Sequence, residues 1–170
     1  MMTGITGTPG TGKSSVGKVL SARGHRVTEI ADTVTGYVIE RDEARDTLVI
    51  DEERWAAEFP HVDGFVVGHL SHLLPCDLVV VLRCEPPVLK ERLRRRGYKD
   101  AKIRENCEAE ALDVILVETL GSHPAEKVLE IDTTHMDPVT CADRIEGFVR
   151  GEIPPCSGYI DWSEYLGEEV

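Results

Sequence analysis

The sequence is short of aromatic rings, of positive charge, of paired cysteines and of long apolar runs, and each shortage narrows what it encodes. Aromatic residues make up 5% of the 170 residues, so a core has to be built mainly from Val, Leu, Ile and Ala. Nineteen lysines and arginines face 31 aspartates and glutamates, a formal net charge of −12, which argues against a surface that binds DNA or an anionic membrane as a whole. The longest apolar run, Leu78 to Leu82, is far below the roughly 20 residues a helix needs to cross a bilayer. Five cysteines (Cys76, Cys84, Cys107, Cys141 and Cys156) are odd in number and contain no C-x-x-C pair. That fits free thiols in a reducing compartment and indicates neither a disulfide framework nor a zinc site. No basic stretch followed by an apolar one comes after Met1, so no signal peptide is readable and a cytoplasmic location is expected.

What is present is an ordinary globular composition, 41% hydrophobic and 29% charged, of a length suited to one domain. Apolar runs of strand length alternate with longer segments of helical period, the pattern of an α/β fold with a parallel sheet and crossover helices. Strands are expected at Met2–Thr6, Val27–Ile30, 65–69, Leu78–Leu82 and Val128–Ile131. Helices are expected from about Gly12 to Arg23, from Pro87 to Gly97, as one long element from Asp100 to Leu120, and from Asp137 or Pro138 to Arg150. Residues 31–58 are polar with broken periodicity and read as small helices off the sheet rather than core.

Residues 7–14 read Gly7-Thr8-Pro9-Gly10-Thr11-Gly12-Lys13-Ser14, a complete G-x-x-x-x-G-K-[ST] phosphate loop between an expected strand and an expected helix. Its glycines let the backbone curl until successive amides face phosphate oxygens, and the following helix adds its positive end. Lys13 supplies a mobile charge for the outer phosphates of a nucleoside triphosphate or similar phosphate, the Ser14 hydroxyl can hold Mg²⁺, and Ser15 can donate to an inner phosphate. Segment 83–104 carries nine of the 19 lysines and arginines against three acids, a cationic island in an anionic chain. Arg92, Arg96 and Arg104 bracket the turn 97–100, a natural mobile flap. A kinase that works without a protein activator needs such arginines over the transferring phosphoryl group, and a closing flap favours transfer over hydrolysis.

Three stretches carry a family resemblance: GTPGTGKSS at 7–15, GHLSHLLP at 68–75 and RLRRRGYKDAKIRENCEAE at 92–110, with weaker similarity in VIDEERW at 49–55. Over residues 1–150 the chain resembles the adenylate kinase isoenzyme 6 family, small nucleoside monophosphate (NMP) kinases also implicated in maturing the small ribosomal subunit. The resemblance implies a three-layer P-loop NTPase fold, a five-stranded parallel sheet flanked by helices, with an NMP-binding insertion near 30–53 and a short lid near 95–105. It implies that Gly10, Gly12, Lys13, Ser14 and Ser15 bind ATP and that Arg96 closes over it.

Other positions have two readings each. Asn106 and Glu110, four apart on one helix face, either position the substrate or support the lid together with Arg92 and Arg104, or they hydrogen-bond each other at a wet surface. Arg41 and Arg45 either grip the acceptor phosphate or pair with neighbouring acids. Arg83, at a strand's carboxyl end, reaches substrate phosphate or caps carbonyls. Asp32 and Asp51 are hinges of the insertion or helix caps. In the family the third strand is expected to end in an acid, one residue, then histidine, whereas this chain has Val67-Gly68-His69. His69 either orients water or phosphate, a catalytic role, or makes a structural hydrogen bond. Val67 removes the expected carboxylate, for which Asp63, Asp51 or another acid could substitute. His72 could join His69 in a metal site only if a third ligand were near. The stretch 151–170 holds five acids, no lysine or arginine, and Tyr159, Trp162 and Tyr165. It packs on the core, stays mobile or docks on a partner.

The expected activity is Mg²⁺-dependent transfer of the ATP γ-phosphoryl group to an NMP, AMP foremost, through Lys13, Arg96 and the ion. The alternatives are an assembly ATPase that transiently binds a small-subunit ribosomal protein, and a binding module without turnover.

Overall fold

The computed structural model describes residues 1–43 and 47–167. In chain order the elements are β1 (Met2–Thr6), α1 (Lys13–Ala22), β2 (Val27–Glu29), β3 (Val38–Asp42), β4 (Thr47–Ile50), α2 (Glu52–Glu58), β5 (Gly64–Val67), β6 (Leu78–Arg83), α3 (Pro86–Arg95), α4 (Asp100–Ala111), α5 (Val114–Ser122), β7 (Val128–Asp132) and α6 (Pro138–Val149). Strands β2, β5, β1, β6 and β7 lie in that spatial order as one parallel sheet. Ile5 of β1 is level with Val67 on one side and Val80 on the other. The strands are continuous apolar runs because helices cover both faces. Val16 and Leu20 of α1 and Ile145 and Phe148 of α6 pack on one face with Ile5, Val67, Val80 and Leu82. Trp55 of α2 and Leu116 of α5 pack on the other with Met2, Val66, Val79 and Val81. No helix of the described residues is long and apolar enough to cross a membrane.

Beyond α6 the chain returns alongside β7. The Cys156 carbonyl accepts from the Glu130 amide at 2.8 Å, and the Cys156 amide donates to Val128 O at 3.2 Å, a parallel bridge that covers an otherwise unpaired sheet edge. Ile160 is buried, and the Tyr165 hydroxyl donates to Glu85 Oε1 at 2.5 Å. Of the three fates open to this stretch, its described part takes the first.

Two expectations about elements are corrected. Residues 31–58 do not consist of small helices outside the core: β3 and β4 form an antiparallel pair, and Trp55 of α2 is 1% exposed. The Trp55 indole donates to Thr33 Oγ1 at 3.0 Å, so its one polar atom is satisfied while the ring fills the core. The expected helix from 100 to 120 is two helices. Asp113 has φ 56°, the left-handed region that aspartate tolerates better than most side chains. Its carboxylate and the Glu110 carbonyl both serve Arg83, the carbonyl at 3.0 Å. A straight helix would carry the Asp113 carboxylate away from that guanidinium.

Candidate functional site

The phosphate loop, 7–14, leaves the carboxyl end of central strand β1, where ligands of open parallel sheets gather. Its curl is obligatory at two points. Gly7 has φ 141°, and a Cβ there would strike the Leu82 carbonyl; Gly10 has φ 94°, and a Cβ would lie 2.7 Å from Leu89 Cδ1. Lys13, first residue of α1, bends back so that Nζ donates to Gly7 O at 2.7 Å and Thr8 O at 2.9 Å. Burial in this loop, reinforced by the Arg96 charge and opposed by Glu110 and Glu29, pushes the Lys13 ammonium down to about 7. Ser14 and Ser15 are exposed at the open end of α1.

A cavity of about 290 Å³ opens beside the loop, lined by Gly10, Gly12, Ser15, Arg92, Arg95 and Arg96 and, behind them, Thr133, Met136, Pro138 and Cys141. One rim is cationic and the far wall largely apolar, which suits a molecule with a charged end and a flat apolar one. Arg96 is exposed at this rim, just past α3. Arg92 is not a surface support of a flap: Nη2 donates to Thr133 O at 2.7 Å and Thr134 O at 3.2 Å, and Nη1 reaches Thr133 Oγ1 at 3.3 Å and Gly10 O at 3.5 Å. The Thr133 hydroxyl is in turn 2.8 Å from both Thr11 O and Arg83 O. Arg92 and Thr133 therefore tie the loop to the ends of β6 and β7.

Arg83 ends β6 as expected and donates to the Glu110 carbonyl, the second of its two readings, rather than facing a substrate phosphate. It is 1% exposed and surrounded by carboxylates: Nε donates to Glu110 Oε1 at 2.8 Å, Nη1 to Glu130 Oε1 at 2.5 Å, and Nη2 pairs with Asp113. No face of the guanidinium is left for a substrate phosphate. Asn106 and Glu110 do not bond to each other, nor do they sit at a wet surface. Both are buried; Asn106 Nδ2 donates to Lys102 O at 2.7 Å, while Glu110 accepts from Thr8 Oγ1 at 2.5 Å. Glu110 thus supports the phosphate loop, not the flap. Arg104 is exposed on α4. Arg41 lies on β3, and Arg45 falls outside the described residues.

His69, just past β5, is solvent-reachable, but desolvation in the cleft and the neighbouring Lys13 ammonium push its imidazole down to about 4. It is neutral at physiological pH. His72 is 1% exposed, with Nδ1 3.0 Å from Thr6 Oγ1 and Nε2 2.9 Å from Glu118 Oε2. Both its nitrogens are engaged, and among the described residues no group of three His, Cys, Asp or Glu could hold a metal ion. Neither acid suggested to replace the one missing at Val67 is placed to do so. Asp63 pairs with the N-terminal ammonium at the opposite end of β5, and Asp51 caps α2 by accepting from Arg54 N at 3.1 Å. The carboxylate that does face this region is Glu29, level with Val67 on the adjacent strand. Desolvation and Asp32 raise its pKa, and Lys13 draws it down.

Residues 4–113 match the AAA domain family. The chain belongs to that family. This AAA-domain protein is also 43% identical over its full length to a protein of Archaeoglobus fulgidus named "Putative adenylate kinase", covering 96% of it. It is 42% identical, again over the full chain, to one of the same name from Methanocaldococcus jannaschii, covering 99% of it. Among solved structures, a gluconokinase of Sinorhizobium meliloti superposes with TM-score 0.54 at 19% identity over 89% of this chain and 93% of that one. A shikimate kinase of Bacteroides thetaiotaomicron superposes with TM-score 0.52 at 16% identity over 89% and 98%. The AAA-domain protein therefore has the fold of the P-loop kinases.

Several residues of the site carry no warning in the sequence. Thr8 and Thr11 are unspecified positions of the motif, and Thr133 follows a strand 120 residues later with nothing to mark it. Lys102 was legible only as one more cation of the island. Its ammonium donates to Thr47 Oγ1 at 2.9 Å and so bridges α4 to β4.

Proposed function

We propose that the chain transfers the γ-phosphoryl group of ATP to a nucleoside monophosphate, AMP foremost, as an adenylate kinase of the isoenzyme 6 type. The observation that carries this reading is the meeting of phosphate-loop residues Gly10 and Gly12 with Arg92, Arg95 and Arg96 around one cavity, with the Lys13 ammonium held by the carbonyls of the same loop. The kinase-named relatives, aligned over the full chain, support it. In this reading ATP lays its base toward Met136, Pro138 and Cys141 and its phosphates on the loop. Residues 30–53, with β3, β4 and Arg41, form the acceptor side, and residues 95–105 form the lid.

Phosphoryl transfer needs positioning and charge compensation more than covalent help. Lys13 leaves the Gly7 and Thr8 carbonyls for the outer phosphates, the loop amides bind the inner ones, and Arg96 closes from the lid as negative charge spreads over the γ-phosphoryl oxygens. The acceptor oxygen of a monophosphate is already anionic, so no general base is required. Neutral His69 can accept a hydrogen bond from water, which suits a hydrolytic side reaction. Ser14 and Glu29 are the residues that would hold a magnesium ion and its water shell. A hydroxyl and a carboxylate are hard oxygen donors, the kind magnesium takes in one or two copies when it arrives with a triphosphate. Bound there, magnesium would supply compensation for the negative charge of the outer phosphates. The test is ADP formation from ATP with and without AMP. A large stimulation by AMP supports the kinase. A rate indifferent to every monophosphate, yet raised by a small-subunit ribosomal protein, would replace it with the assembly ATPase.

A further inference from the structure

Two strands, β7 and β6, separate the C-terminal stretch from β1, which carries the phosphate loop. One chain of polar contacts, buried from Glu130 inward, nevertheless joins them. The Gly158 amide donates to Glu130 Oε2 at 2.8 Å, and the Tyr159 hydroxyl to Glu130 O at 2.9 Å. Arg83 Nη1 donates to Glu130 Oε1 at 2.5 Å, and Arg83 Nε to Glu110 Oε1 at 2.8 Å. Glu110 Oε1 also accepts from the Cys84 amide at 3.0 Å, while Oε2 accepts from Thr8 Oγ1 at 2.5 Å. Thr8, Arg83, Glu110 and Glu130 are each 2% exposed or less.

The chain ends on a residue with two jobs. The hydroxyl of Thr8 is held by Glu110, and its carbonyl is one of the two that hold the Lys13 ammonium. Three carboxylates around one buried guanidinium are more than neutrality requires, and such clusters contribute little net stability, because desolvation offsets their attraction. What the excess acid accomplishes is geometric. A doubly anchored carboxylate cannot follow Thr8 if the loop shifts, so the loop is fixed where its backbone must meet phosphate.

We propose that Glu110 is a positioning residue for phosphoryl transfer, fixing the phosphate loop through Thr8, and that the C-terminal stretch keeps Glu110 in place through Glu130 and Arg83. The proposal rests on the phosphotransferase reading above and adds to it a residue that never touches substrate.

The test uses the full-length chain with Glu110→Gln, Thr8→Val, the double variant and Glu130→Gln, each checked for a parent-like circular dichroism spectrum. Each of Glu110→Gln and Thr8→Val lowers kcat/KM for ATP about tenfold, the loss of one charge-assisted hydrogen bond. The double variant falls no further than the worse single one, because both break the same link. Thr8→Ser, which keeps the hydroxyl, loses less than Thr8→Val. Glu130→Gln lowers kcat/KM for ATP and leaves KM for AMP unchanged. A merely structural loss would not be recovered by Thr8→Ser, nor would it spare KM for AMP in Glu130→Gln. Losses that add in the double variant, or a Glu110→Gln protein with parent kinetics, overturn the proposal. Failure of the kinase reading shows instead in the parent chain, as no ADP from ATP and AMP. The same cycle is then read in the calorimetric Kd for MgATP, where coupling supports the positioning role and additivity rejects it.

Discussion

Lys13 should take up a proton when it binds a nucleotide. In the folded chain its ammonium is pushed down to about 7, burial being the main cause. At about pH 8.5 only some 3% of the side chain is then protonated. A triphosphate placed against it restores the cationic form, because opposite charge within a few ångströms raises a lysine pKa. Binding at that pH is expected to draw close to one proton from solvent. Its affinity should fall by about tenfold per pH unit above about pH 8, until the pKa of the bound state is reached. The same shift affects folding. Between about 7 and the ordinary lysine value of 10.5 the unfolded chain binds more protons at this position, so the Lys13 contribution to stability improves as pH rises through that window and is least favourable below it. Calorimetry of MgATP binding in two buffers of different ionisation enthalpy counts the proton directly, and Lys13→Met supplies the blank. An uptake under about 0.3 proton at pH 8.5, with affinity flat across two pH units, would refute the argument.

Three further outcomes are expected. Arg96→Ala lowers kcat by about a hundredfold and changes the Kd for ATP by less than about threefold, because the exposed guanidinium acts as charge spreads in transfer; equal losses in both would make it a ground-state contact only. Gly10→Ala lowers unfolding free energy in urea by about 2 kcal/mol, since φ 94° and a Cβ 2.7 Å from Leu89 Cδ1 both oppose it, and an unchanged urea midpoint would contradict that geometry. Val67→Asp destabilises the fold by about 2–4 kcal/mol. The side chain is 1% exposed, packs toward α1 and is level with Glu29, so a second carboxylate there meets like charge; a more stable variant would show that the site wants the acid.

The parallel sheet was legible because its strands are covered on both faces, and a run such as Leu78 to Leu82 can be little else once turns bound it. The phosphate loop was legible because a motif, a strand and a helix start coincide within about a dozen residues. What stayed hidden has a common physical origin. Periodicity on either side of Asp113 is helical, and one left-handed residue leaves no mark on it. The polar residues of β3 alternate too irregularly to announce a strand, and Trp55 is the single ring that carries α2 into the core. Thr8 and Glu110 are 102 positions apart, so their bond exists only after five strands have lined up. Its place at a strand's carboxyl edge left Arg83 open to a substrate phosphate or to nearby carbonyls; only its three acidic neighbours, none adjacent in sequence, show that it is fully engaged.

Position 113 answers to two requirements at once. Its backbone, at φ 56°, admits glycine, asparagine or aspartate with little penalty and resists β-branched side chains. Its side chain must also be an anion short enough to turn inward onto Arg83. Asparagine meets the first demand and lacks the charge, whereas glutamate keeps the charge but suits the left-handed backbone less and is one methylene longer. Saturation mutagenesis should therefore find aspartate nearly irreplaceable at a bend outside the lining of the cavity beside the phosphate loop, and a tolerance map drawn from that one codon would separate the needs of the main chain from those of the charge.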